Sequence, residues 1–194
     1  MADRVPAPLR TALTDLLGWL EARQVPVVII GGVAASALGR PRLTQDIDAL
    51  AILPESEWPG LVHAAEQHGI VPRIADALDF ARRSRVLLMR HVDSSIDLDI
   101  TFGGLPFERD AVAAGSLHDI GGIGVRLPRV EDLLVMKAVA HRPRDLEDIR
   151  GLLAANPDAD IAAARRWIRE FAQATGQPNL LSEFDKLLEQ AQRR

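Results

Sequence analysis

The 194-residue chain has no cysteine, no tyrosine and only two lysines, Lys137 and Lys186. Without cysteine there can be no disulfide, no thiol nucleophile and no cysteine-ligated zinc. Aromatic residues make up 4% of the chain, which argues against a platform that stacks single-stranded bases. No apolar run approaches the roughly 18 residues that a membrane-spanning helix needs. The opening residues, Met1 to Pro6, carry an acid and lead into an amphipathic segment, so they do not read as a secretory leader. These absences set the expectation of a soluble, cytoplasmic protein with no membrane partner. With 23 basic and 27 acidic residues the net charge is −4. That argues against a non-specific coat for nucleic acid but leaves room for a local basic groove. Hydrophobic residues at 47% and charged residues at 26% are ordinary for a globular chain of one domain, or one domain with a small appendage.

The residues that are present divide the chain in two. Residues 7–24 read as a helix, with Leu9, Leu13, Leu16, Leu17 and Leu20 on a 3.6-residue period. A β-branched run from Val25 to Ile30 reads as a strand ended by Gly31-Gly32, followed by a short helix from Val33 to Leu38. A second strand covers Ile47 to Leu53, and a helix covers Ser56 to His68 with Gly69 as its stop. After a short helix over 75–83, Arg85 to Val92 and Ser95 to Phe102 form a hairpin turned by Asp93-Ser94. A helix from Phe107 to Ala114 and a hairpin about Gly121-Gly122 follow. Beyond residue 129 only helices are predicted, at 130–141, 143–154, 160–174 and 180–192. The expectation is an α/β core, 1–129, made of a mixed sheet flanked by helices, with a C-terminal helical bundle, 130–194, packed on it.

Residues 30–52 carry the chemistry. A strand enters Gly31-Gly32 and a helix follows at once, so backbone N–H groups and the helix dipole can receive a phosphate where no Cβ obstructs it. Further on come Asp46 and Asp48, which share one face of a strand while Ile47 takes the other. Two adjacent carboxylates repel unless a cation sits between them, and an oxygen-only ligand set suits Mg²⁺ or Mn²⁺. Either feature alone is commonplace; together they serve the chemistry of a nucleotide whose phosphates are bridged by metal. Neither a Walker loop nor a dinucleotide fingerprint is present.

The series strand, Gly-Gly, helix, then Arg42-x-Thr44-x-Asp46-Ile47-Asp48 resembles the polymerase-beta-like nucleotidyltransferase superfamily. Within it the chain is similar to AbiEii-type proteins, which include toxins of type IV toxin–antitoxin systems. Later segments agree: Leu98-Asp99-Ile100, Pro106-Phe107-Glu108, Glu131-Asp132-Leu133 with Lys137, and Arg142-Pro143-Arg144-Asp145-Leu146-Glu147-Asp148-Ile149. The resemblance implies a third carboxylate on the strand beside Asp46 and Asp48. Asp97 and Asp99 share a face there, and the spacing to Pro-Phe-Glu favours Asp99, with Asp97 as the alternative ligand. It also implies that Gly31 and Gly32 cradle a nucleoside triphosphate, that Arg42 and Thr44 belong to the nucleotide site, and that Asp145 and Asp148 either position Lys137 or contact the nucleotide.

Lys137 lies in an apolar helical stretch, where an ammonium must either find a partner or snorkel to water. Its functional reading is a cation for the triphosphate, paired with Asp48 or Asp145 until nucleotide arrives, so that Lys137→Met is expected to cost affinity and little stability. The five histidines show no ligand spacing, the three tryptophans read as core or interface, and Arg165, Arg166 and Arg169 read as a solvated face or an RNA or acidic-partner contact. The implied activity is transfer of a nucleoside monophosphate from a nucleoside triphosphate to a hydroxyl on tRNA or protein, in a chain paired with a cognate antitoxin. The alternatives are an antibiotic-type transferase acting on a small molecule, and a non-catalytic module that binds nucleotide or a partner.

Overall fold

In the computed structural model, which describes residues 5–192, the chain forms two compact units, Met1–Val33 with Thr44–Pro128, and Ala34–Leu43 with Arg129–Arg194. Part of the N-terminal segment read above, residues 1–4, lies outside the described residues.

The first unit is built on a five-stranded sheet. Helix α1 (Ala7–Ala22) buries Leu13, Leu16, Trp19 and Leu20 completely. Strands β1 (Val27–Ile29), β2 (Asp46–Ala51), β3 (Ile70–Pro72), β4 (Val86–His91) and β5 (Asp97–Phe102) take the order β1-β2-β5-β4-β3. Only β2 and β5 run parallel; the other neighbours are antiparallel. One face is apolar: Ile47 and Ala49 of β2, Leu98 and Ile100 of β5, and Leu87 and Met89 of β4 are all fully buried. At its margin Trp58 stacks on Phe102 at 4.1 Å between ring centroids, with the Arg85 guanidinium 5.3 Å over the indole. Helices α3 (Trp58–Ala65), α4 (Ala77–Ser84) and α5 (Pro106–Ala113) and the hairpin β6 (Ser116–Ile120)–β7 (Ile123–Leu127) complete this unit.

Helix α2 (Gly31–Leu38) starts in the first unit and continues into the second. The second unit also holds α6 (Val130–Ala140), α7 (Pro143–Ala155), α8 (Ile161–Thr175) and α9 (Leu180–Gln192). Its core includes Leu133, Leu134, Ile149, Leu152, Ala164 and Ile168, all fully buried. Asp160 caps α8 by accepting a hydrogen bond from the Ala163 amide, and Gly176 closes it with φ +66°.

The structure corrects the sequence reading locally. Gly31-Gly32 is not a turn ahead of a helix: the helix begins at Gly31 itself. Strand β1 is three residues long, because Pro26 lacks the amide a longer strand would use. The segment 56–68 is a short α-helix between two 3-10 turns, Glu55–Glu57 and Glu66–His68. Strand β3 was not predicted; its three residues include a proline and it pairs on one side only.

Candidate active site

The pairing of β2 with β5 is in register, Asp46 beside Asp97 and Asp48 beside Asp99. Side chains alternate along a strand, so burying Ile47 and Leu98 turns all four carboxylates to the opposite face. Strand spacing alone sets Asp48 and Asp99 about 5 Å apart at Cα. The Thr44 hydroxyl donates to Asp46 Oδ1 at 2.8 Å, so this residue, read as nucleotide-binding, orients a carboxylate of the patch.

Gly31 sits beside this patch with φ +61°. A Cβ there would overlap the Asp48 carboxylate and stand 2.7 Å from the Asp48 Cβ. The Ile30 amide donates to the Asp48 carbonyl at 2.8 Å, carrying β1–β2 pairing to the edge of the helix. Glycine is thus required twice over, by the backbone angle and by the close approach of Asp48.

Two arginines absent from the sequence reading join the same face. Arg73 follows β3, its amide bonded to the Leu88 carbonyl. It reaches across β4 to place Nη1 2.7 Å from Asp97 Oδ2 and Nη2 2.9 Å from Asp99 Oδ1. Arg90 stands opposite Asp97 across the β4–β5 ladder and donates from Nε to its Oδ1 at 2.7 Å. The hairpin made Arg90 legible as a cross-strand partner. Arg73 had no such signal, since its strand was not recognised and arginine is common in this chain.

These contacts separate the two β5 acids. The Arg90 hydrogen bond, with Arg73 adding to it against the effect of burial, holds the Asp97 carboxyl below its ordinary value. Burial pushes the Asp99 carboxyl up; the Arg73 charge pulls the other way without prevailing, and the Asp97 and Asp46 charges reinforce the rise. Asp97 is tied into ion pairs on both oxygens, while Asp99 offers Oδ2.

The remaining predicted residues gather within the second unit. Lys137 is 4% exposed, which rules out snorkelling, and its Nζ lies 3.0 Å from Asp145 Oδ1 and 2.9 Å from Asp148 Oδ2. Arg42 grips Asp148 bidentately at 2.8 and 2.9 Å, its own loop pinned by Ser36, whose Oγ accepts from the Arg42 amide at 2.8 Å. Asp145 accepts from Arg142 through the backbone amide at 3.1 Å and Nε at 2.7 Å. The Arg-Pro-x-Asp-Leu-x-Asp-Ile segment is therefore a helix start: Pro143 opens α7, Asp145 caps it, and Asp148 falls one turn on, facing Lys137. Burial raises both carboxyls, but Arg142 and Lys137 at Asp145, and Arg42 and Lys137 at Asp148, outweigh it and hold them below ordinary values. Glu108 of the Pro-Phe-Glu segment plays a similar part for α5, accepting from the Gly104 and Leu105 amides at 2.7 and 2.8 Å.

The carboxylate patch fits a divalent cation in its donor chemistry. It offers hard oxygen donors of one sign on one face, beside a glycine whose missing Cβ makes room for the Asp48 carboxylate. As the side chains stand, no three acidic or histidine side chains among the described residues are gathered closely enough to hold a metal ion.

Residues 15–194 match the family described as nucleotidyl transferase AbiEii toxin, type IV TA system. The chain belongs to this AbiEii nucleotidyltransferase family. Solved structures share the fold. The antibiotic-resistance factor ANT(2'')-Ia superposes with a TM-score of 0.60 at 17% identity, over 86% of this chain and 92% of its own. The lincosamide antibiotic adenylyltransferase LnuA gives 0.53 at 16% identity, over 77% and 98%. A nucleotidyltransferase-like antigen from Paracoccidioides brasiliensis gives 0.54 at 15%, over 90% and 91%. No curated protein sequence matches the chain. The AbiEii-type chain is a nucleotidyltransferase, and none of its described helices is long and apolar enough to cross a membrane.

Proposed function

We propose that this AbiEii-type chain transfers a nucleoside monophosphate from a nucleoside triphosphate to a hydroxyl of tRNA or protein, as a cytoplasmic toxin held by a cognate antitoxin. The observation that carries the transfer chemistry is the in-register pairing of Asp46 and Asp48 with Asp97 and Asp99 beside Gly31.

Asp46 and Asp48 would hold Mg²⁺ or Mn²⁺, with Asp99 completing the set. A bound divalent ion supplies Lewis-acid stabilisation of the attacking and leaving oxygens. The chain's own residues do the rest. Thr44 fixes the Asp46 carboxylate. The amides opening α2 at Gly31 and Gly32 receive phosphate oxygens, favoured by the helix dipole. Asp99 Oδ2 takes the proton of the acceptor hydroxyl as its oxygen attacks the α-phosphorus; the bond to the bridging oxygen breaks and pyrophosphate leaves. Asp97, committed to Arg73 and Arg90, is structural in this scheme. In the helical unit, Lys137, Arg42 and Arg142 set three cations against Asp145 and Asp148.

The test is incubation of the purified chain with each α-labelled nucleoside triphosphate and Mg²⁺ in three arms: total tRNA, cell-lysate protein, and aminoglycosides with lincosamides. Label in tRNA or protein, lost in Asp48→Asn, is the expected result. Label only in the antibiotics would replace the acceptor, and no label in any arm would leave a binding module.

A further inference from the structure

We propose that Arg73 is a resident counter-cation of the carboxylate site, pairing Asp97 and Asp99 in the metal-free chain and competing with a divalent cation for Asp99. The inference rests on the reading that Asp46, Asp48 and Asp99 hold the metal, and it concerns what occupies Asp99 beforehand.

The sheet register dictates the arrangement. On the face opposite the core, successive strands present Arg73 beyond β3, then Leu88 and Arg90 of β4, then Asp97 and Asp99 of β5, then Asp46 and Asp48 of β2. Charge therefore runs from positive to negative across the sheet. Leu88 is the residue paired with Asp99, and it offers no charge. Arg90 has the lower acid, Asp97, as its cross-strand partner. Among the described residues Arg73 supplies the cation paired with Asp99, and it does so from two strands away, spending its two terminal nitrogens on two different carboxylates at 2.7 and 2.9 Å.

That fork has a purpose that a simple structural ion pair lacks. Four like charges on one face repel, and without a cation the patch would be a local source of instability. An arginine between Asp97 and Asp99 relieves it. Asp97 keeps a second partner in Arg90, so Arg73 can release Asp99 and stay anchored on Asp97. The guanidinium side chain is 23% exposed and Asp99 is 34% exposed, so the exchange needs only side-chain rotation at a solvated edge. Release frees Asp99 Oδ1, on the residue that stands in register with Asp48.

The experiment measures Mn²⁺ binding by calorimetry without nucleotide, for the parent, Arg73→Met, Arg73→Lys and Asp48→Asn, alongside thermal unfolding with and without Mn²⁺. Arg73→Met is expected to bind Mn²⁺ about tenfold tighter, the order expected on removing one unit charge about 6 Å from a dication in a water-like dielectric. It should melt lower than the parent without Mn²⁺ and gain more on adding it. Arg73→Lys keeps the charge and should stay near the parent. A second readout uses the parent itself: the Arg73 guanidinium resonances should shift on saturation with Mg²⁺, which keeps the idea testable if Arg73→Met does not fold. Unchanged or weaker Mn²⁺ binding in a folded Arg73→Met, or guanidinium resonances unmoved by Mg²⁺, would overturn the counter-cation role while leaving the metal site intact. Absence of Mn²⁺ binding in the parent, equal to that in Asp48→Asn, would instead overturn the metal-site reading on which it rests.

Discussion

Gly31 and Asp48 are the tightest constraint at the level of single residues. The left-handed backbone angle and the overlap that a Cβ would make with Asp48 both act against substitution. Gly31→Ala should cost about 1–3 kcal/mol, the usual range for a strained backbone position, and should also displace the Asp48 carboxylate. Denaturant unfolding checks the first part, and loss of nucleotidyl transfer in the fraction still folded checks the second. Asp99 gives the reverse pattern. Burial makes its charged form unfavourable, and asparagine keeps the shape and an acceptor for Arg73. Asp99→Asn should therefore melt no lower than the parent while losing transfer activity; a clear drop in the unfolding midpoint would show that the Asp99–Arg73 ion pair carries stability after all.

Among the elements, α6 and α7 are joined by the buried pairing of Lys137 with Asp145 and Asp148. The sequence suggested that Lys137→Met would cost little stability. The burial of all three groups reverses that, since removing one partner leaves buried charges uncompensated. With Arg42 and Arg142 still in place, a loss of about 3 kcal/mol is expected, the low end for breaking a buried pair, and urea unfolding measures it. The helices of this unit were legible because each combines a 3.6-residue apolar period with plain punctuation: Pro143 at one start, Asp160 at another, Gly176 at an end. The hairpins were legible from Asp93-Ser94 and Gly121-Gly122, and the shared face of Asp46 and Asp48 from alternation alone. Strand order was not legible from local pattern: the hairpin gave β4 beside β5, but the placing of β5 beside β2 came from the family resemblance alone. Nor was β3, a three-residue edge strand, and with it went Arg73. The role of Thr44 toward Asp46 also depends on a loop path that periodicity does not report.

At the scale of the molecule, acid should unfold the chain through particular carboxylates. Asp97, Asp145 and Asp148 have folded values below their ordinary ones. The folded state then binds fewer protons than the unfolded state, so the stability they contribute is complete above pH of about 4 and is lost as pH falls through their depressed values. Asp99, raised, acts oppositely: its cost is present once it ionises and disappears on acidification. Three against one, the unfolding midpoint should fall steadily below pH of about 4. The gap between parent and Lys137→Met should close over the same interval, because a protonated Asp145 or Asp148 no longer favours the lysine. A gap that stays constant to the lowest pH would show that Lys137 acts through packing alone.

The parallel pairing of β2 with β5 also has a consequence in time. Every other ladder of the large sheet joins strands that are antiparallel, and all three of them, β1–β2, β3–β4 and β4–β5, link strands consecutive in the chain. The pair that aligns Asp48 with Asp99 must close a loop of about 50 residues containing α3, β3, α4 and β4. Contacts this distant in sequence form late, and a chain emerging from the ribosome acquires them only after β5 has been made. In the proposed scheme a nascent chain that ends before Asp99 holds only the β2 half of the carboxylate site, so a ribosome that stalls there yields a fragment without it.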